Sequence, residues 1–516
     1  MRDFRACNDG RAEGTFRVLD SASHDPLKGC AENADGVHMR SFDLVVIGSG
    51  PAGEKAALQA ASFGRRVAVV EMEPRPGGAM VNTGTIASKA LRETALVASA
   101  LRRRPIPGWS QGTERDRLSM ARFMARRTLV QMEEHDRIEA DFDDAGVVMI
   151  RGRGTIIDAS TVEVMAPDGH TERLATAFIM IATGSSPARG KQADFTLPGV
   201  VDANGILELD FMPRSLVVVG GGVIGCEYAS IFAELGVEVT LIEPRVGLMR
   251  FLDVDIRGVL EAGMSAAGIA FRFGQTVARV GADGTTHARG DGHDHVTTEL
   301  SSGECLSSEC VLWSLGRQGN TRQLGLERVG VQADDRGNLA VDREYRTSCP
   351  SVFAGGDVIG FPALASTSME QGRIAACRMF GIPFHSDLAA TIPIGIYTIP
   401  AVAAVGKTAE EAIAAGMDVV TGCGYYRNNP RGRMLGDDRG LLKAVFDRSN
   451  RRLIGVSIVG EDATELVHLA QWAIASGHGI DFLVETCFNY PSLSDLYKDA
   501  AYDALRAFDQ PAAKAA

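Results

Sequence analysis

No apolar run in this 516-residue chain is long enough to cross a bilayer, which excludes a helical membrane span. Basic charge is also short: 53 Lys and Arg stand against 65 Asp and Glu, a net charge of −12. A nucleic-acid surface needs a basic face, so neither nucleic acid nor membrane is an expected partner. The nine cysteines (Cys7, Cys30, Cys226, Cys305, Cys310, Cys349, Cys377, Cys423 and Cys487) form no metal-ligand spacing and no paired framework. No metal site is expected, and a reducing cytoplasm is the expected location. Cys305 and Cys310 have the gap of a redox pair, but no cofactor motif adjoins them, and the spacing reads as accidental within a hairpin. The first 38 residues show no hydrophobic period and no signal-peptide core. They are expected to be a disordered tail, or an upstream extension with Met39 as the start.

One absence is local. The stretch "GGAMVNTGTIASKALRE", Gly77 to Glu93, looks built around two redox cysteines, yet Met80 and Thr85 stand in their places.

What is present begins with a β-α-β unit, "FDLVVIGSGPAGEKAALQAASFGRRVAVVE". A buried strand from Asp43 to Ile47 leads into Gly48, Gly50 and Gly53, the G-x-G-x-x-G spacing. The first glycine allows the tight turn, the second lets the backbone approach a pyrophosphate, and the third lets helix and strand pack closely. The helix presents its positive N-terminal end to the phosphates. The second strand ends in Glu71, 71 − 48 = 23 residues on, about where an acid binds a ribose hydroxyl. The pattern recurs with Gly220, Gly222 and Gly225 and ends in Glu243, again 243 − 220 = 23 residues on. Two complete units with equal spacing imply two dinucleotides.

Other segments bracket the second unit. "AFIMIATGSSP", Ala177 to Pro187, is a buried strand closing the first domain. "SVFAGGDVIG", Ser351 to Gly360, is another, with Asp357 at its carboxyl end, where ligands bind in such sheets. The expected fold is α/β with two Rossmann-like dinucleotide-binding domains, the second inserted in the first, and a C-terminal α+β dimerisation domain. The expected bounds are 39–188 and 317–388 for the first, 189–316 for the second and 389–516 for the last. A polar-faced helical excursion is expected over about 94–142, with Leu129 and Met132 at helical spacing. An antiparallel hairpin set is expected over 147–170, with "PDG" as a turn. Thr408 and Glu411 have capping-box spacing, and His468 on a later amphipathic helix reads as a packing residue.

From about Phe42 to Phe508 the chain resembles the flavoprotein disulfide reductases. That resemblance implies FAD at the first fingerprint and NAD(H) or NADP(H) at the second. It implies that Asp357 bonds the flavin ribityl chain and that Lys89 and Glu227 form an ion pair near flavin N5. Pro51, Ala52, Thr83, Thr183, Gly184, Gly316 and Ala365 complete the implied cofactor-binding set. Dithiol members carry a His-Pro near the C-terminus, with a carboxylate five residues after the His; here Tyr490 precedes Pro491, and Asp495 takes the carboxylate place. The two departures are chemically linked: without thiols, a histidine acid-base has no proton to handle, and tyrosine with a pKa near ~10 would serve poorly.

One branch matches both departures. "NTGTIASKALRE", "GVIGCEYASIF", "GIYTIP", "VGKT" and "TCFNYP" are similar to the soluble FAD-containing pyridine nucleotide transhydrogenases, although Ala87 stands where that branch commonly has Pro. The resemblance implies hydride transfer between NADPH and NAD⁺ through FAD, ping-pong at one nucleotide site. It also implies a homodimer or higher homo-oligomer whose Tyr490 loop reaches the partner's flavin. Taken alone, Glu243 favours a free ribose hydroxyl and opposes a 2′-phosphate. Arg245 and Arg250 could receive that phosphate or be plain surface charge. The competing readings are an NAD(P)H oxidase or diaphorase, a dihydrolipoamide dehydrogenase-like protein that has lost disulfide chemistry, and a non-catalytic binding protein.

Overall fold

In the computed structural model, which describes residues 30–32, 38–103, 118–282, 295–383 and 391–508, the first long strand is His38–Ile47. It starts earlier than the expected Asp43 because its first residues pair antiparallel with Cys30–Glu32, a short strand inside the expected featureless tail. Leu44 to Ile47 are all buried, as a strand covered on both faces should be. Helix α1 (Pro51–Ser62) follows, with Pro in its first turn, where the missing N–H costs nothing.

The first sheet runs Val148–Arg151, Val67–Glu71, His38–Ile47, Thr171–Ile181, Thr161–Met165, Arg153–Asp158, and Val352–Ala354 adds in parallel to Thr171–Ile181. The expected hairpin set is partly corrected. Val148–Arg151 pairs parallel with Val67–Glu71 and joins the Rossmann core. The Thr161–Met165 and Thr171–Ile181 strands do form a hairpin, turning at Pro167–Gly169. Helices α2 (Gly78–Asn82), α3 (Thr85–Arg103) and α4 (Met120–Asp144) make the helical excursion. Residues 104–117, which fall inside it, lie outside the described residues. Leu129 and Met132 face outward on α4.

The inserted unit is a five-stranded parallel sheet, ordered Ala270–Phe273, Glu238–Glu243, Ser215–Val219, Cys310–Trp313, Val200–Asp202. Helices α5 (Val223–Glu234) and α6 (Val254–Ala266) follow its middle strands. Cys305 and Cys310 are not in one hairpin: Cys305–Ser308 belongs to an appended three-stranded sheet and Cys310–Trp313 to the parallel one. Cys305 is exposed, and burial pushes the Cys310 thiol up to about 12, so the pair is not a redox unit. The chain enters and leaves this unit through an antiparallel ribbon, Ser185–Pro187 against Arg317–Gly319.

Helix α7 (Ala365–Met379) returns to the first unit and packs on α1 so closely that a Cβ at Gly372 would lie 2.1 Å from the Ala52 carbonyl oxygen. The last unit is an antiparallel sheet ordered Ile394–Ile396, Val402–Gly406, Leu453–Val459, Leu441–Asp447, Val419–Tyr425. The helices Ala463–Ala475 and Leu496–Phe508 pack on it around buried Leu496, Tyr497 and Phe446. Thr408 and Glu411 form a reciprocal capping box. His468 does not pack inward; it is exposed beside Leu469 and Trp472. Among the described residues no helix is long and apolar enough to cross a membrane, and no cluster could hold a metal ion.

Candidate functional site: two nucleotide cradles and a three-way junction

The two glycine turns are near copies. Gly48 and Gly220 have φ of 102° and 109°, the left-handed region that disfavours a side chain. A Cβ at Gly53 would lie 1.9 Å from the Gly48 oxygen, and one at Gly225 would lie 2.0 Å from the Gly220 oxygen. Gly222, in contrast, has open space where its Cβ would be. Gly50 and Gly222 are the N-caps of α1 and α5, and neither helix end is capped by a side chain. The first amides of each helix are therefore available to an anion, which is what a dinucleotide pyrophosphate requires. The residues fit the group at both turns.

Each strand-end acid is buried and tied to its own turn. Glu71 accepts from the Ser49 amide at 2.8 Å and the Ser49 hydroxyl at 2.5 Å. Glu243 accepts from the Gly221 amide at 2.8 Å and from Arg245 Nε at 2.6 Å. Burial works against the charge on Glu243, but the Arg245 and Gly221 hydrogen bonds outweigh it and hold the carboxyl below its usual range. Beside Glu243, a cavity of about 160 Å³ opens at the carboxyl ends of the parallel strands, lined by Val219, Ile242, Pro244, Val277, Trp313 and Leu315. Arg245 and Arg250 are both exposed, and Arg245 is engaged with Glu243.

Asp357 sits in the turn after Val352–Ala354 and accepts from the Ser185 hydroxyl at 2.8 Å. Arg317 holds that serine in turn, with Nε 2.7 Å from its hydroxyl oxygen and Nη2 2.6 Å from its carbonyl. Thr183 donates to the Asn320 carbonyl at 2.8 Å, while Gly184 and Gly316 are open turns in the left-handed region. Pro51 and Ala52 begin α1, Thr83 caps the end of α2 and Ala365 opens α7.

Lys89 on α3 and Glu227 on α5 meet at 2.7 Å. Glu227 is nearly buried and Lys89 is 24% exposed on its side chain, so water still reaches the ammonium. The other oxygen of Glu227 accepts the Tyr397 amide at 2.9 Å, and the Lys89 ammonium lies 5.0 Å from the centre of the Tyr397 ring. One carboxylate thus joins all three units of the fold. The Ile399 amide also bonds Ser230 at 3.1 Å, and Arg92 Nε bonds the Thr398 carbonyl at 3.1 Å. Tyr397, Ser185 and Arg317 escaped the sequence reading; Tyr397 lay inside the quoted "GIYTIP", but a backbone amide carries no sequence signal.

At the two positions of interest, Met80 is buried in the core with Val81 and Phe142, while Thr85 is exposed at the start of α3. Tyr490 is 68% exposed in the single chain, on a loop beyond the apolar surface residues Trp472 and Phe482.

Two family models match in tandem: "Pyridine nucleotide-disulphide oxidoreductase" over residues 42–372 and its dimerisation domain over 392–501. The chain belongs to the pyridine nucleotide-disulphide oxidoreductases. Within that class its relatives include proteins named soluble pyridine nucleotide transhydrogenase. That of Mycobacterium bovis BCG is 41% identical over 470 residues, 90% of this chain and 98% of the relative. That of Marinomonas is 38% identical over 473 residues, with the same shares. Among solved structures, LpdA of Mycobacterium tuberculosis superposes with a TM-score of 0.81 at 30% identity, covering 89% of this chain and 99% of that one. The HOCl-induced flavoprotein disulfide reductase RclA of Escherichia coli gives 0.79 at 26% identity, covering 89% and 99%.

Proposed function

We propose that the protein is an FAD-dependent pyridine nucleotide transhydrogenase that moves a hydride between NADPH and NAD⁺ without a thiol intermediary. The names of its relatives support the reaction. The observation that carries the thiol-free route is local: Met80 is packed into the core and Thr85 faces outward, beside an intact Lys89–Glu227 pair.

FAD, when bound, supplies the two-electron relay. The first glycine turn and the N-terminus of α1 would hold its pyrophosphate, Glu71 its adenosine ribose and Asp357 its ribityl chain. Lys89 would offer that group a fixed positive charge, and Glu227 with Tyr397 holds the ammonium in place. The second turn, Glu243 and the cavity beside it bind the pyridine nucleotides. One such site serves both substrates, so NADPH leaves before NAD⁺ enters, and the kinetics are ping-pong. The chain is expected to act as a homodimer, with Trp472, Phe482 and the Tyr490 loop facing the partner.

The deciding experiment mixes the protein, NADPH and a spectrally distinct NAD⁺ analogue under nitrogen, beside a visible spectrum of the protein as isolated. A flavin spectrum that bleaches with NADPH and recovers as the analogue is reduced supports the proposal. Bleaching without transfer to the analogue, or a colourless protein, overturns it.

A further inference from the structure

Helix α4 lies behind the turn that joins α2 to α3, and two of its side chains reach into that turn. His135 is 7% exposed, and its Nε2 lies 2.8 Å from Asn82 Oδ1. Gln131 Nε2, one helical turn earlier, donates to the same oxygen at 3.2 Å. Asn82 is the last residue of α2. After it come only Thr83 and Gly84 before α3 begins, and Lys89 lies little more than one turn into that helix. The turn has little slack: the Thr83 amide bonds the Ala79 carbonyl at 3.1 Å, and a Cβ at Gly84 would lie 2.9 Å from the Ala79 oxygen. Fixing Asn82 therefore fixes the exit of α2 and the entry of α3.

We propose that His135, with Gln131, is a positioning residue for hydride transfer: by gripping Asn82 it holds the cysteine-free α2–α3 turn, and with it Lys89, in the place where a bound cofactor would meet the ammonium. The inference rests on the transhydrogenase reading only for the role of Lys89. Asn82 Oδ1 already accepts from Gln131, so Nε2 of the imidazole carries the proton and donates. Arg75, Asp136 and Glu139 are the charged groups that face the ring. Burial first, then the positive charge of Arg75, lowers the pKa of His135, while Glu139 and Asp136 oppose the shift. The ring is therefore neutral at neutral pH. A second proton, taken up only below the usual imidazole pKa, would go to Nδ1 and leave the Nε2–H donor to Asn82 in place, so the grip does not depend on pH near neutrality.

The test uses the flavin-loaded protein and three variants, His135→Ala, His135→Gln and Asn82→Ala. Three readings are taken under nitrogen: the rate of flavin bleaching by NADPH, the KM for NADPH and the fine structure of the flavin absorption bands. The expected result is a rate at least about tenfold lower in His135→Ala and Asn82→Ala, with KM for NADPH unchanged within about twofold. Altered flavin bands accompany it. His135→Gln, which keeps a donor, recovers most of the rate and the wild-type bands. If His135→Ala does not fold, a rate that is kept in His135→Gln and lost in Asn82→Ala decides alone. Wild-type rate and bands in His135→Ala, or a His135→Gln rate as low as that of Asn82→Ala, overturns the proposal. A wild-type protein that bleaches but does not pass hydride to NAD⁺ sinks the transhydrogenase reading and leaves these comparisons valid.

Discussion

Lys89 Nζ and Glu227 Oε2 lie 2.7 Å apart although 138 residues separate them in the chain. The contact crosses from the first unit to the inserted one, and Tyr397 ties it to the third. Replacing Lys89 with Met leaves Glu227 without its counter-ion in a nearly buried place. Lysine is partly wet, so the cost is set at about 1–3 kcal/mol, below that for a fully buried pair. Lys89→Met is expected to melt a few degrees lower and to bleach with NADPH at least about tenfold more slowly. Thermal unfolding and anaerobic stopped-flow absorbance measure the two effects, and a normal bleaching rate removes Lys89 from the mechanism.

Arg245 Nε bonds the Glu243 carboxylate, the group that the proposed function assigns to the nucleotide ribose. On the proposed function, NADPH would draw Arg245 to its 2′-phosphate, and NADH would leave Glu243 to accept the ribose hydroxyl. Arg245→Ala should raise the KM for NADPH by roughly ten- to a hundredfold and leave that for NADH unchanged or lower. Glu243→Gln should do the reverse. Equal effects on both nucleotides in steady-state assays would show that Arg245 is surface charge alone.

The pH dependence of that choice follows from the direction of the Glu243 shift. Its carboxyl is held below the usual value in the fold, so the stability it lends is present above the unfolded pKa and lost as pH falls through the lower folded one. The ratio of the two KM values should stay flat across neutral pH and change only in acid. A ratio that titrates near pH ~7 would point to another group.

The paired turns allow a clean separation of the two sites. Gly53→Ala forces a methyl onto the Gly48 carbonyl, and Gly225→Ala does the same at Gly220. Each should cost about 1–3 kcal/mol by overpacking. Gly225→Ala should remain yellow yet bind NADPH poorly, whereas Gly53→Ala should lose flavin. Absorbance after desalting and nucleotide titration distinguish them.

Alkylation of accessible thiols should leave the NADPH-to-NAD⁺ rate unchanged within about twofold. Cys226, the neighbour of Glu227, is fully buried, and its thiol is pushed far above the usual range by burial and by Glu243 and Glu227, so it stays inert. A rate that falls in step with thiol modification would contradict a thiol-free route.

Some of this was legible in the sequence because it is local. Gly48, Gly53 and Glu71 announce a β-α-β turn through spacing alone, and Thr408 with Glu411 announces a helix start. What was not legible depends on distant chain segments meeting. Val148–Arg151 looked like part of a hairpin, and only the parallel edge of Val67–Glu71 recruits it into the core. The Asn82–His135 bond spans 53 residues, and the Ser185–Arg317 bond spans 132. His468 had the spacing of a packing residue, yet it lies on the outward face of its helix.

The ribbon of Ser185–Pro187 and Arg317–Gly319 gives the inserted unit a property of its own. Its two ends are hydrogen-bonded neighbours, so they lie about one strand spacing, ~4.8 Å, apart. The ribbon is not the unit's only attachment, because Tyr228, Phe232 and Leu260 share one buried core with Leu91 and Phe123 of the first unit and Val402 and Val459 of the last. Excising residues 188–316 and closing the gap with a two-residue turn should therefore expose Leu91, Phe123 and Val402 to water and leave a shorter chain that aggregates, although its cut ends meet without strain.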